Sequence, residues 1–258
     1  SPFVGSILVT SAPHSASIPA AAGPATQIPS STTLTPSIGP AIFSPFRIPN
    51  KDARCFLLLL RFQRYKEIGY GLYVILFVCT GNTCRSPMAE AFLKNKLITT
   101  TSEIEVFSAG TNAKSNLGAT KEAIKVMENF DIDLSNHTTH LLDKETVEKA
   151  ELIVVMTRPH ELSISKIQQQ ARNRTFLAGE IVRLGSLISK MEELPSFKSW
   201  VEELHSARGG HMTSGRAGDE ISDPFDKPLE EYEKVAMRLN GICEVLCKLL
   251  TSTVNKNS

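Results

Sequence analysis

Two cysteines, Cys79 and Cys84, bracket a glycine turn in the stretch VILFVCTGNTCRSPM (residues 74–88), and Arg85 and Ser86 follow at once. A Cys, five residues and an Arg, set between an apolar run and a helix start, make a cradle for an anion. The backbone N–H groups of Thr80, Gly81, Asn82, Thr83 and Cys84, feeding a helix N-terminus, can point inward together. Gly81 and Asn82 tolerate the positive φ that such curling needs. Arg85 adds a planar two-pronged clamp matched to phosphate oxygens. A thiol in that positive field is expected as a thiolate, and a thiolate touching a phosphate-shaped site is a nucleophile for phosphoryl groups. Ser86 is placed to donate to the sulfur and ease its later departure. A lone Cys more often packs as a small apolar residue, and Cys-x5-Arg arises readily by chance. The apolar run before it, the Gly-Asn inside it and the Ser-Pro behind it carry the chemical reading.

Elements on either side must position this loop. Residues 74–78 form a continuous apolar run of strand length, as in a strand buried on both faces. Ser86 suits an N-cap and Pro87 a first helical position, which predicts a helix to about residue 98. IEVFSAG (104–110) reads as a second strand closing on a glycine, and 118–130 shows helical spacing. AELIVVMT (150–157) is a third strand, 160–170 a helix, and RTFLAGE (174–180) a short fourth strand. Residues 181–220 read as one or two short helices and a Gly-rich loop, and a long helix runs from 229 to about 250. The alternation predicts an α/β fold: a single doubly wound domain with a central four-stranded parallel sheet flanked by helices. Ligands of such sheets bind at the carboxyl ends of the strands, where Cys79 sits.

The wider composition sets limits. The 258 residues carry a net charge of +1, so no strong field gathers nucleic acid or a membrane surface. Before Arg47 there is no charged residue apart from the terminus, and most of the fourteen prolines lie there. Residues 1–50 are therefore expected as a disordered Pro/Ser/Thr/Ala-rich tail, either a genuine segment or an over-extended gene product. Residues 51–71 are expected as a linker and 72–252 as the folded domain, with an insertion at about 181–220. The charges of RFQRYKE (61–67) interrupt the apolar stretches around them well short of the ~20 residues of a membrane span. Five cysteines, an odd number, argue against a disulfide scaffold and for a reducing compartment. The location expected is cytoplasmic, or an organelle if the tail is a transit peptide.

VCTGNTCRSPMAEAF (78–92) resembles the signature of the low-molecular-weight protein tyrosine phosphatase family. FSAGT (107–111), DIDLSNHTTHL (131–141), AELIVVMT (150–157) and SDPF (222–225) match the family's later landmarks in order. The resemblance spans about 72–250 and departs from the family in the tail and in the length of 181–220. It implies a metal-independent, cofactor-free mechanism. Cys79 attacks phosphorus to give a cysteinyl-phosphate, while the loop amides of residues 80–86 and Arg85 stabilise the equatorial oxygens. Asp223 protonates the leaving group and then activates water.

Within the family, tyrosine-directed members usually place a bulky aliphatic residue where this chain has Thr83, and tyrosines after the Asp-Pro, where Phe225 and Asp226 stand here. The CTGNTCRSPMAE form looks like the bacterial protein-arginine phosphatases. Thr83 and Phe225 are thus the expected specificity residues, with phosphoarginine favoured and phosphotyrosine the alternative. Asp226 is expected to pair with a substrate guanidinium. Arsenate reductases share the loop but need relay cysteines. Cys243 and Cys247, the candidates here, read better as core. Cys84 is expected as a reversible disulfide partner of Cys79. His137 and His140 lack a nearby third ligand for a metal, and His137 reads as a loop-ordering residue. The partners expected are phosphorylated proteins, and the state a monomer. The insertion, running into Asp223, reads as a lid.

Overall fold

The computed structural model describes residues 73–98, 104–188, 196–208 and 216–254. The tail expected over 1–50 and the linker expected over 51–71 lie outside these residues.

Among the described residues, strands β1 (Tyr73–Cys79), β2 (Ile104–Gly110), β3 (Leu152–Val155) and β4 (Thr175–Leu177) form one parallel sheet in the order β2-β1-β3-β4. The helices are α1 (Arg85–Leu97), α2 (Lys121–Glu128), α3 (Lys144–Lys149), α4 (Arg158–Ile167), α5 (Ala178–Ile188), α6 (Phe197–Ala207) and α7 (Leu229–Val254). Short 3-10 turns occupy Gln169–Arg174 and Ala217–Asp219.

The apolar run of β1 is continuous because both of its faces are covered. Ile75 and Phe77 join Met88 and Phe92 of α1 and Leu239 and Leu246 of α7 in one core. Leu76 and Val78 join Val147 of α3 and Ile164 of α4 in the other. β1 pairs with β2 and β3 in register, Val78 facing Ala109 on one side and Val155 on the other. Three strand ends therefore converge around Cys79.

Several boundaries differ from the sequence reading. The helix after the loop begins at Arg85, with Cys84 preceding it, so Ser86 is not its cap and Pro87 is not its first residue. The Ser86 hydroxyl is turned inward instead. The fourth strand stops at Leu177, because the Glu180 carboxylate accepts from the Leu177 N–H (3.1 Å) and the chain coils at Ala178. The helix expected over 118–130 is shorter, capped by Thr120, whose hydroxyl accepts from the Ala123 N–H. α3 was not anticipated, being a single polar turn and a half capped by Asp143.

The insertion contributes to the core. Phe197, Trp200 and Leu204 of α6 are buried, and the Phe197 ring stacks on Tyr73 at 4.4 Å. Tyr73 opens β1 and Cys79 closes it, a separation of about 20 Å at ~3.3 Å per residue. At the other end of α6, Arg208 donates to the Thr175 carbonyl (2.6 Å) at the start of β4 and to Glu180 (2.7 and 3.0 Å). The start of α6 thus packs beside the amino end of β1, while Arg208 at its other end reaches Glu180 and Glu161. Residues 189–195 and 209–215 lie outside the described residues. No described helix is long and apolar enough to cross a membrane.

Candidate active site

β1 delivers Cys79 to the carboxyl edge of the sheet, and the chain then curls through Asn82, whose φ is +54°. Asn82 is fully buried, and its polar atoms are occupied. Its N–H donates to Cys79 Sγ (3.2 Å) and its Oδ1 accepts from the His140 N–H (2.8 Å). His137 Nε2 donates to its carbonyl (2.8 Å), which is the loop-ordering role expected of His137. Burial lowers the His137 pKa, so the ring is neutral near pH 7.

The Asn82 amide sets the polarity of a chain of groups. Nδ2 donates to Ser108 Oγ (2.8 Å) and to Ser86 Oγ (3.0 Å), while Ser108 itself donates to Glu90 Oε2 (2.6 Å). With its oxygen accepting from Asn82, Ser86 directs its hydroxyl hydrogen to Cys79 Sγ at 2.9 Å rather than to the more distant Ala109 carbonyl. Two donors thus face the sulfur. No backbone carbonyl among the described residues accepts from the N–H of Gly81, Thr83, Cys84 or Ser86, which leaves these amides available to an anion.

Arg85 is buried at 2% exposure. Its Nη1 donates to the Ile221 carbonyl (3.3 Å), and its Nη2 approaches Thr80 Oγ1 (3.5 Å) and forms an ion pair with Asp223 Oδ2. Its Nε is buried without a hydrogen-bond partner. Ile221 is anchored in turn, its N–H donating to the Met156 carbonyl (2.8 Å) just past β3. Asp223, 138 residues from Arg85, is thereby brought to the loop. Its other oxygen accepts from the Phe225 N–H (3.1 Å), and Phe225 and Asp226 stand exposed beside it, Asp226 with a φ of +59°.

Thr83 is half-buried, its carbonyl accepting from the Thr120 N–H (2.9 Å). Cys84 is buried as a free thiol, 3.8 Å from Thr83 Oγ1, and burial together with the neighbouring Cys79 pushes its thiol up to about 11. Cys243 and Cys247 are buried under α1, directing their sulfurs at the Ala89 and Lys96 carbonyls, so they act as core residues. No cluster of three or more His, Cys, Asp or Glu suited to a metal occurs among the described residues.

Sequence reasoning did not single out Ser108, Glu90 or His160. Ser108 and Glu90 lie inside the quoted motifs, but their roles need the α1 to β2 packing. His160 carried no signal in the sequence. Its Nε2 lies 2.9 Å from Thr80 Oγ1, and its Nδ1 accepts from the Thr157 N–H at 3.1 Å.

Residues 74–186 match the family described as low molecular weight phosphotyrosine protein phosphatase. The chain is 32% identical over 178 residues to a protein-arginine-phosphatase of Geobacillus stearothermophilus, covering 69% of this chain and 96% of that relative. It is 36% identical over 105 residues to the low molecular weight protein-tyrosine-phosphatase Ptp of Acinetobacter johnsonii, covering 41% and 71%. The solved structure of the YwlE arginine phosphatase from Geobacillus stearothermophilus superposes with a TM-score of 0.54 at 29% identity, covering 72% of this chain and 97% of that one.

Proposed function

Because the chain belongs to the low molecular weight phosphotyrosine protein phosphatase family, and is a phosphatase, we propose that it removes phosphate from protein phosphoarginine through a cysteinyl-phosphate. The incoming phosphoryl group replaces Asp223 on Arg85 and is held by the free amides of the 80–86 loop. The Cys79 thiolate forms an Sγ–P bond as the P–N bond breaks, and the Asp223 carboxyl gives its proton to the departing guanidine nitrogen. Asp223 then takes a proton from water, whose oxygen attacks phosphorus and releases Cys79. Ser86, donating to Sγ, eases that departure. No metal or cofactor enters these steps.

The observation that carries the choice of substrate is Thr83, half-buried on the loop that forms the pocket floor, where a small hydroxyl-bearing side chain leaves room for a polar guanidinium. The relative named a protein-arginine-phosphatase supports the same choice. Asp226, exposed next to Phe225, is suited to pair with the substrate's guanidinium charge. Cys84 serves as redox partner: oxidation of Cys79 by peroxide to a sulfenic acid, then attack by the Cys84 sulfur as its thiol gives up its proton, closes a disulfide with loss of water.

The test is turnover of matched phosphoarginine and phosphotyrosine peptides by wild type and Thr83→Ile, with Cys79→Ser as blank. Phosphoarginine preferred by wild type and reversed by Thr83→Ile is expected. Preference of wild type for phosphotyrosine would overturn the substrate assignment.

A further inference from the structure

We infer that His160 is a positioning residue for phosphoryl binding, acting through the Thr80 hydroxyl. The inference rests on the reading of the 80–86 loop as a phosphoryl site but not on which phosphoresidue it accepts. β1 and β3 pair with Val78 opposite Val155, and the Met156 N–H continues the ladder to the Val78 carbonyl at 3.1 Å. The register therefore sets Thr157 beside Thr80 just past the strand ends. α4 starts at Arg158, and its third residue, His160, is buried at 4% exposure against the loop.

The tautomer follows from the partners. Nδ1 of His160 faces the Thr157 N–H (3.1 Å), which can only donate, and the Thr157 hydroxyl (2.9 Å), which can donate as well; with Nδ1 accepting from them, the ring proton of the neutral imidazole sits on Nε2. Nε2–H consequently donates to Thr80 Oγ1 at 2.9 Å. The same oxygen faces Arg85 Nη2 at 3.5 Å. With its lone pairs turned to these two donors, Thr80 directs its own hydrogen elsewhere, and the residue is exposed on the open side of the loop. The hydroxyl becomes a side-chain donor beside the Arg85 clamp, available to a phosphoryl oxygen once Asp223 has left the guanidinium.

The ring is suited to this task only while neutral. An imidazolium could still give Nδ1–H to the Thr157 hydroxyl, but it would lose the bond from the Thr157 N–H and set a second cation beside Arg85. Burial, and then the Arg85 charge, hold its pKa down to about 4 against the smaller opposing pull of Asp223. A purely structural capping residue would have no need of a contact reaching Thr80, eighty positions away in the chain.

The experiment measures the affinity of inorganic phosphate by calorimetry for full-length wild type, Thr80→Val, Thr80→Ser, His160→Ala and the Thr80→Val/His160→Ala double variant. Melting temperatures are recorded in parallel. Thr80→Val and His160→Ala are each expected to weaken phosphate roughly tenfold, as for loss of a hydrogen bond to a charged group. Thr80→Ser should retain most of the affinity, and the double variant should bind no more weakly than the worse single one. Unchanged phosphate affinity in Thr80→Val, or additive losses in the double variant, would overturn the inference. Phosphate binding is read without turnover, so a chain that fails on both phosphopeptides still decides this point.

Discussion

The chemistry converges on Asn82, a side chain that will not itself touch phosphorus. Its backbone adopts a left-handed conformation in a fully buried position, a state Asn tolerates better than most residues. Its amide reaches Ser86, Ser108 and the His140 N–H. Asn82→Ala removes all three contacts, at roughly 1–3 kcal/mol for each buried group left unpaired. Ser86 also loses the donor that points its hydrogen at Cys79. A fall in kcat for a small aryl phosphate of about a hundredfold is expected, comparable to loss of one electrostatic stabilising group. Steady-state kinetics with urea denaturation checks this, and a wild-type kcat in a folded variant would contradict the orientation of the network. The Cys84 thiol, held up at about 11, has its counterpart at high pH. From its ordinary 9.0 upward the unfolded chain loses that proton before the folded one does, so stability is full below pH 9 and declines above it. Urea midpoints from pH 8 to 10.5 should therefore fall less steeply for Cys84→Ala than for wild type.

At the scale of elements, β2 and α6 act at opposite ends of the sheet. A Cβ on Gly110 would lie 2.6 Å from the Thr80 carbonyl oxygen and 2.8 Å from the Asn82 nitrogen, both backbone atoms that cannot swing aside. Gly110→Ala must therefore displace the phosphate loop, and a loss of kcat/KM of at least about tenfold is expected even where the protein stays folded. Trp200 of α6 is 2% exposed at the other end. Trp200→Ala should cost about 3–5 kcal/mol of stability and leave KM for an aryl phosphate and for a phosphopeptide unchanged. Calorimetric unfolding with kinetics below the transition separates the two. A selective rise in KM for the peptide would support the lid reading for this segment. The acid loop is tied more locally. Arg183 and the Arg216 N–H both bond Asp219, and a Cβ on Gly179 would meet the Asp219 Cα at 2.6 Å.

For the whole molecule, a buried histidine makes stability depend on acid. The unfolded chain takes up a proton on His160 near its ordinary 6.5, whereas the folded protein does so only near 4. Between these values the unfolded state holds more protons, so stability is complete above pH 6.5 and falls as the pH drops toward 4. The window amounts to about 3 kcal/mol from this residue. Burial shifts His137 and His205 in the same direction. Urea midpoints measured from pH 7 to 4.5 should fall more steeply for wild type than for His160→Gln, and parallel curves would refute the assignment.

The sequence by itself determined the strand-loop-helix around Cys79 and the parallel α/β alternation, and it marked the Asp-Pro motif. Each is written in local terms: an apolar run buried on both faces, a turn that needs Gly and Asn, an arginine six residues beyond the cysteine. It also indicated that Cys243 and Cys247 belong to the core, because their spacing follows the buried stripe of α7. Tertiary structure decided what depends on distant contacts. Ser before Pro is commonly a cap, yet the Asn82 amide, donating to the Ser86 oxygen, turns its hydrogen toward the thiol. Ala178–Glu180 read as strand until Glu180 folded back on the Leu177 N–H. The insertion adjoins the acid in sequence, but Phe197 and Trp200 gain more by burial at the far end of the sheet than by covering a polar pocket. His160 reached Thr80 only through the register of β1 with β3, which no local pattern encodes. Periodicity and turn chemistry act over a few residues, whereas the partner of a side chain is set by which strand ends meet.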